Sequence, residues 1–205
     1  MITLIDYGAG NVRSVAKALE AVGARVRVTC EAKDVASATK IVLPGVGAFG
    51  DCMDSLRRHG LVPAIQQAIS AGTPFLGICV GMQVLFSEGD EMGRHRGLGM
   101  LAGRVVRFPA HLAEQGFKIP HTGWNQLQLH RDSLLFRGLP PSPWVYFNHA
   151  YYCTPGHDDL VATVEHGITV PAAVAHRSLC GVQFHPEKSQ EVGLRFLRNF
   201  VEATL

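Results

Sequence analysis

The chain of 205 residues lacks any long apolar run and carries almost no net charge. No stretch reaches the roughly 18 apolar residues that a membrane-spanning helix needs. A formal net charge of +2 gives no electrostatic reason to expect binding to nucleic acid or to a membrane surface. Residues 1–6 contain no basic segment and are typical of a first strand, not of a secretory signal. With 47% hydrophobic residues, we expect a single domain over 1–205 with a large core.

Disulfide and metal motifs are also missing. The five cysteines are odd in number and form no Cys-x-x-Cys pair, so neither a disulfide framework nor a zinc site is indicated. The ten histidines are scattered and include no His-Glu-x-x-His. We therefore expect no metal, no cofactor and a reducing, cytoplasmic setting.

The pattern of apolar segments differs between the two halves of the chain. In the first half, predicted strands at 2–5, 25–29, 40–43 and 75–79 alternate with helices, the first of them capped by Asn11. In the second half, short strands at 104–108, 125–130, 145–153, 160–165, 172–176 and 180–184 precede a helix over 190–204. This pattern predicts an α/β fold with an open, mostly parallel, doubly wound sheet and antiparallel additions in the C-terminal half.

Residues 75–83 lead an apolar strand through Gly77, Cys79, Val80 and Gly81 into a helix. Gly-x-Cys-x-Gly in this place is typical of a nucleophile elbow, with sulfur instead of the serine oxygen. The tight turn requires small neighbours. The start of the helix would stabilise a thiolate, and the Val80 N–H would face a developing oxyanion. The alternative is a buried structural cysteine at the end of a strand.

A second apolar strand ends in His185, Pro186 and Glu187. A cysteine nucleophile needs a base, and the base needs a group that orients its ring. Because Pro186 fixes the bend, Glu187 could turn back to the imidazole of His185. Alone, these residues would indicate a solvated turn. Beside Cys79, they predict a Cys-His-Glu triad at the crevice formed by the strand ends.

Other segments allow two interpretations. The glycine-rich loop 44–47 could supply a second oxyanion donor at Val46–Gly47, or it could be a plain turn. Gln83 lies one helical turn beyond Cys79 and could hold a polar substrate or face solvent. His149 is a rival for the catalytic imidazole, although no carboxylate follows it closely in the sequence. Trp124, flanked by polar groups, fits a partner surface or a half-buried structural position.

Gly-Ile-Cys-x-Gly-Met-Gln at 77–83, followed by Phe-His-Pro-Glu at 184–187, resembles the class I, triad-type glutamine amidotransferases. Segments 6–11, 44–50, 120–125 and 184–189 further resemble the glutaminase subunits of imidazole glycerol phosphate synthases, over essentially the whole chain. The resemblance implies a flavodoxin-like fold and hydrolysis of glutamine. The ammonia would pass to a (β/α)₈ cyclase subunit in a heterodimer. The cyclase would make imidazole glycerol phosphate and aminoimidazole carboxamide ribotide in histidine biosynthesis.

The resemblance also assigns roles to residues. It implies a triad of Cys79, His185 and Glu187, and an oxyanion site at Val46, Gly47 and Val80. It implies a glutamine pocket lined by Gly45, Gln83, Glu91, Ala150 and Tyr151, and a cyclase interface at Asn11, Trp124, Tyr146 and Lys188.

The sequence departs from the family pattern at three positions, of which Ala150 lies in the strand expected to bind the α-carboxylate of the substrate. The family usually has Ser or Thr where Ala150 stands, an apolar residue at Asn148 and Met at Thr122. None of these positions belongs to the triad.

Two other kinds of protein remain as alternatives. One is a glutaminase that serves pyridoxal phosphate, aminodeoxychorismate or anthranilate synthesis. The other is a γ-glutamyl hydrolase or a non-catalytic α/β binding module.

Overall fold

Strands alternate with helices in the first half of the chain and follow one another more directly in the second. The computed structural model describes residues 1–8 and 10–203. The strands are β1 (Ile2–Ile5), β2 (Val26–Thr29), β3 (Ile41–Gly45), β4 (Phe75–Cys79), β5 (Phe86–Gly89), β6 (His95–Arg96), β7 (Leu101–Arg107), β8 (His121–Leu129), β9 (Trp144–His149), β10 (Tyr151–Pro155), β11 (Leu160–Glu165), β12 (Thr169–His176) and β13 (Leu179–Val182). The α-helices are α1 (Val12–Ala21), α2 (Ala32–Ala36), α3 (Phe49–Arg58), α4 (Leu61–Ser70), α5 (Val80–Gln83), α6 (His111–Glu114) and α7 (Gln190–Glu202), with 3-10 turns at Leu134–Phe136, His157–Asp159 and Pro186–Lys188.

The main sheet joins the two halves of the chain. Within the described residues, nine strands form it in the order β2-β1-β3-β4-β13-β12-β11-β8-β9. From β2 to β13 the neighbours are parallel, and from β13 to β9 they are antiparallel. The expected fold class, a doubly wound α/β sheet with antiparallel additions in the C-terminal half, is confirmed. Because β3, β4 and β13 are parallel neighbours, their carboxyl ends open onto one crevice.

A second sheet was not predicted. In the described part of the chain it has four strands in the order β10-β7-β5-β6. The single strand expected at 145–153 is wrong, because β9 pairs with β8 in the main sheet whereas β10 pairs with β7 in the second. The chain changes sheets at Ala150, which pairs with neither. Alternation of side chains along the sequence carries no information about which partner each half of such a segment will find.

The helix predictions need two corrections. Asn11 does not cap α1: its side chain makes no capping hydrogen bond and its backbone is left-handed, with φ of 76°. The helix after Cys79 is a single turn of four residues, so its dipole is weaker than that of a long helix. Of the predicted helix 190–204, α7 accounts for residues up to Glu202. Thr204, like Ala9 and Leu205, lies outside the described residues.

The core is centred on the parallel strands. Every residue of β1, β3, β4 and β13 is buried, as expected for strands covered on both faces. The Phe184 ring packs edge-on against Phe196 of α7, and Phe184, Phe196 and Phe200 are each at most 1% exposed. Each such ring contributes on the order of 2–3 kcal/mol by leaving water. None of the helices in the described ranges has the length and apolarity needed to cross a bilayer.

Candidate active site

Cys79 lies in a strained turn between β4 and α5. Its φ is 55° and its ψ is −113°, a conformation that L-residues rarely adopt. Two glycines make this turn possible by allowing close backbone contacts. A Cβ on Gly77 would lie 2.4 Å from the carbonyl oxygen of Gly81, and one on Gly81 would lie 2.0 Å from that of Leu43. The Gly-x-Cys-x-Gly spacing therefore follows from the packing of this turn against β3.

His185 and Glu187 follow the neighbouring strand β13. His185 Nδ1 lies 2.8 Å from Glu187 Oε1, and both side chains are buried. This bond leaves Nε2 as the ring nitrogen available to Cys79. Burial would lower the pKa of His185, but the Cys79 sulfur and the Glu187 carboxylate outweigh it and raise the pKa from 6.5 to about 10. At neutral pH the imidazole thus holds its proton, facing the Cys79 sulfur.

Asn11 contributes a contact that was not anticipated. Its Nδ2 donates a hydrogen bond of 2.5 Å to Glu187 Oε1, the same oxygen that His185 contacts. Glu187 Oε2 is buried and has no hydrogen-bond partner within the described residues. The carboxylate is therefore held by two donors on one oxygen. A proton on His185 offsets the negative charge of this carboxylate, which is consistent with the raised pKa of the imidazole.

A cavity of about 170 Å³ opens in front of Cys79. It is lined by Val46, Gly47, Cys79, Val80, Gln83, Glu91, Pro120, Asn148, His149, Ala150, Tyr151, His185 and Lys188. Among these are all the predicted oxyanion residues and every predicted pocket residue except Gly45. Gly45 lies beneath the cavity, in register with Cys79 on the neighbouring strand. Sequence reasoning did not place Pro120 in this cavity, and it considered His149 only as a rival for the catalytic imidazole.

Glu91 and the loop 46–47 shape one end of the cavity. One carboxylate oxygen of Glu91 accepts a 2.8 Å hydrogen bond from the N–H of Phe49, at the start of α3. This bond holds Glu91 across the glycine-rich loop. Gly47 has a φ of 96°, a conformation in which a side chain would be strained. The loop therefore depends on glycine at this position.

Two buried amides connect the floor of the cavity to the sulfur. Gln183 is fully buried; its Nε2 lies 3.6 Å from Cys79 Sγ, within reach of a sulfur hydrogen bond. Gln83 Nε2 donates to Gln183 Oε1 and to the carbonyl oxygen of Tyr151, both at 3.1 Å. Gln183 was missed by sequence analysis, although it follows β13 directly and stands two positions before His185.

The other predicted surface residues gather at the β9 edge of the main sheet. Trp124 and Tyr146 are cross-strand neighbours with ring centroids 6.2 Å apart. Lys188 Nζ lies 5.7 Å from the centre of the Tyr146 ring. Trp124 is 44% exposed, and Trp144, which was not predicted, is 53% exposed on the same face. A larger, more open groove at 129–137 contains none of the predicted site residues.

The described residues include no group of three or more His, Cys, Asp or Glu side chains placed to hold a metal ion. The arrangement has the geometry that cysteine acyl transfer requires. A cysteine on a strained turn, an imidazole held by a buried carboxylate and a small polar cavity meet at the ends of neighbouring strands.

This fold and site define a class of amidotransferases, and the chain belongs to it: the class-I glutamine amidotransferase family matches residues 3–203. The chain is 52% identical to the imidazole glycerol phosphate synthase subunit HisH of Syntrophotalea carbinolica, with 98% of each chain covered. It is 54% identical to the HisH subunit of Thermosynechococcus vestitus, over 98% of this chain and 95% of the relative. These relatives confirm the family resemblance seen in the motifs.

The fold is also shared with a solved structure of PurLQS from Thermotoga maritima. The TM-score is 0.74 at 18% identity, over 97% of this chain and 96% of that one. At this identity the match supports the fold alone.

Proposed function

We propose that this protein is the glutaminase subunit of an imidazole glycerol phosphate synthase. It hydrolyses glutamine to glutamate and ammonia. The ammonia passes to a cyclase subunit that makes imidazole glycerol phosphate and aminoimidazole carboxamide ribotide in histidine biosynthesis. The observation that carries the chemistry is the meeting of Cys79 with the His185–Glu187 pair at the ends of β4 and β13. The identity to HisH subunits over the whole chain supports the choice of pathway.

The proposed reaction begins with the thiolate of Cys79 attacking the side-chain carboxamide of glutamine. The oxyanion that forms would accept hydrogen bonds from the Val80 N–H and from the Val46–Gly47 loop. His185 donates its proton to the leaving nitrogen, so that ammonia departs and a thioester remains. His185 then takes a proton from water, the hydroxide attacks the thioester, and glutamate leaves as the thiolate re-forms. Glu187 keeps the ring oriented and stabilises its positive charge.

The proposed binding mode uses the polar residues of the cavity. One oxygen of Glu91 is bound to the Phe49 N–H, which leaves the other to pair with the α-ammonium of glutamine. Ala150 lies where the chain passes from β9 to β10 and has no ladder partner there. The α-carboxylate would be bound by backbone groups at Ala150–Tyr151, a contact that does not require the hydroxyl usual in the family. The cavity of about 170 Å³ suits one amino-acid side chain better than a peptide, which favours glutamine over a γ-glutamyl peptide.

We propose that the cyclase binds at the β9 edge of the main sheet, in a heterodimer. Trp124, Trp144 and the partly exposed Tyr146 supply the aromatic groups that are enriched at interfaces, and Lys188 adds a positive charge beside them. Asn11, half-buried beside Glu187, would lie at the rim of this surface. The backbone carbonyl of Tyr146 accepts a hydrogen bond from the N–H of His185, so the proposed interface adjoins the triad. A cytoplasmic location is proposed because all five cysteines are unpaired.

The test is release of glutamate from glutamine, measured with and without a cyclase subunit from a HisH-containing synthase. The Cys79→Ala variant should lose at least a hundredfold in rate, yet should still bind the cyclase and support its reaction with added ammonia. Cys180→Ala, a matched change of a buried cysteine on β13, should keep wild-type activity. Residual activity of Cys79→Ala within tenfold of wild type would contradict the nucleophile assignment. Failure of the cyclase to use glutamine-derived ammonia would favour a different acceptor enzyme.

A further inference from the structure

We propose that His121 and His149 are positioning residues of the glutaminase site. With Asn125 they form an uncharged hydrogen-bond chain, termed here the histidine relay, which fixes the backbone of Tyr151 at the glutamine pocket. The inference rests on the proposed function for its kinetic consequences but on geometry alone for the relay itself. It also gives a role to His149, whose sequence context left it a rival for the catalytic base.

The direction of every bond in the relay is determined by its two ends. His149 Nδ1 lies 2.8 Å from the carbonyl oxygen of Tyr151, which can only accept, so this nitrogen carries a proton. In a neutral ring, Nε2 of His149 is then an acceptor, and it lies 3.1 Å from His121 Nδ1, which must donate. His121 Nε2 is left as an acceptor in its turn, 3.1 Å from Asn125 Nδ2.

Asn125 confirms this direction from the other end. Its Nδ2 also lies 2.9 Å from the carbonyl oxygen of Glu165, and its Oδ1 accepts from the N–H of Gln126 at 2.8 Å. These two contacts assign the amide nitrogen and oxygen of Asn125 without ambiguity. All members of the relay are therefore satisfied only when both histidines are neutral and protonated on Nδ1.

The surroundings of the relay exclude charge. His121 is 4% exposed and His149 is 5% exposed. Phe147 stacks on His121 and Phe108 contacts both rings. The titratable groups that face the pair from other elements are His166 in the β11–β12 turn and His185 after β13, with Lys188 across the cavity. Burial and the neighbouring histidines lower the pKa of His121 to about 3 and that of His149 to about 4.

The relay ends on an atom that the active site also uses. The Tyr151 carbonyl accepts from Gln83 as well as from His149, and Gln83 is bound to Gln183, the amide that contacts Cys79 Sγ. Both nitrogens of His149 are already engaged, so this ring is unsuited to act as the general base although it lines the cavity. Its effect on catalysis passes through the position of Tyr151 and the pocket, which makes glutamine binding the property it should control.

The kinetic test compares variants of His149 in the enzyme with its cyclase. His149→Phe fills the ring site but removes the bond to Tyr151 and leaves the His121 donor unpaired. We expect KM for glutamine to rise about tenfold, the equivalent of one to two hydrogen bonds, with kcat changed less than about threefold. His149→Asn retains a donor at the Nδ1 position and should keep KM within about threefold of wild type. The control is His166→Asn. His166 stacks on His121 but is not part of the relay, because its Nε2 bonds to the carbonyl oxygen of Lys118. The KM for glutamine should not change in this variant.

The relay itself is tested by ¹⁵N NMR of the imidazole nitrogens in the wild-type protein at pH 7. Both rings should be neutral with the proton on Nδ1. A charged ring or a proton on Nε2 of either residue would overturn the relay, as would equal KM values for the Phe and Asn variants. If the wild-type protein released no glutamate at all, the proposed function would fail, whereas the NMR spectra would still decide the relay.

Discussion

Acidification from pH 7 to pH 5 should destabilise this protein through its two buried relay histidines. In the folded state the pKa of His121 is lowered to about 3 and that of His149 to about 4, from an ordinary value of 6.5. A depressed histidine pKa means that the unfolded chain binds more protons between these values, so stability falls as pH decreases below 6.5. The loss continues until the pH approaches the folded-state pKa values.

The size of the effect follows from the width of that window. Each histidine lowers the free energy of unfolding by about 1.4 kcal/mol for every pH unit below 6.5. At pH 5, about 1.5 units below 6.5, this amounts to about 2 kcal/mol per histidine. The two together remove about 4 kcal/mol from the free energy of unfolding, a large share of the ~5–15 kcal/mol of an ordinary domain. His185 acts in the opposite sense because its pKa is raised to about 10. Its contribution is complete below pH 6.5 and is lost only as pH rises toward 10, so it changes little between pH 7 and pH 5.

The assay is urea unfolding at pH 7 and pH 5 for the wild-type protein and for a variant with Phe at both 121 and 149. The wild-type protein should lose about 4 kcal/mol between the two pH values. The variant should be less stable at pH 7 but should lose far less on acidification. Equal losses in the two proteins would show that the buried imidazoles are not the cause, and would refute the assignment of both as neutral groups.

Three further predictions concern the Asn11 contact with Glu187, the turn around Cys79 and the proposed cyclase interface. Asn11→Ala removes a hydrogen bond to the Glu187 carboxylate, worth about 1.5–3 kcal/mol. The kcat for glutamate release should fall about tenfold to a hundredfold, with KM nearly unchanged. An unaltered kcat would contradict the idea that Asn11 holds Glu187 in position. Gly81→Ala forces a Cβ to within 2.0 Å of a carbonyl oxygen on β3 and should cost at least about 2 kcal/mol in urea unfolding, whereas Gly156→Ala, which has open space around it, should be nearly neutral. Trp124→Ala should weaken cyclase binding by at least about 1 kcal/mol in calorimetry, without loss of stability of the isolated subunit; unchanged affinity would exclude this edge as the interface.

Local sequence patterns predicted the elements that depend on local chemistry. The turn around Cys79 could be foreseen because its glycines are demanded by close backbone contacts, which leave a fixed spacing in the sequence. The carboxyl ends of parallel strands meet at one crevice, so the nearness of Cys79 and His185 followed from the α/β alternation. The family resemblance then extended these expectations to the glutamine pocket and the cyclase.

The features that sequence analysis missed all depend on pairings between distant residues. Asn11 is a residue type common at helix N-caps. Its amide bonds to Glu187 instead because α1 packs against the Pro186–Lys188 turn. The 145–153 segment has the alternation of one strand, yet its halves join different sheets. The relay histidines were visible as single residues, but their 28-residue separation carries no periodic signal.

The turn at residues 185–189 and the β9 edge of the main sheet form a single hydrogen-bonded unit. The Ser189 hydroxyl donates to the carbonyl oxygen of His185 at 2.7 Å and accepts from the N–H of Tyr146 at 3.0 Å. The N–H of His185 donates in turn to the carbonyl oxygen of Tyr146 at 2.9 Å. Both backbone polar groups of Tyr146 are therefore bound to the turn that carries the imidazole of His185. Because a buried network of this kind has few alternative arrangements, a partner that shifts β9 must also shift His185. Binding of the cyclase at the proposed surface would therefore change the position of the imidazole proposed to act in catalysis.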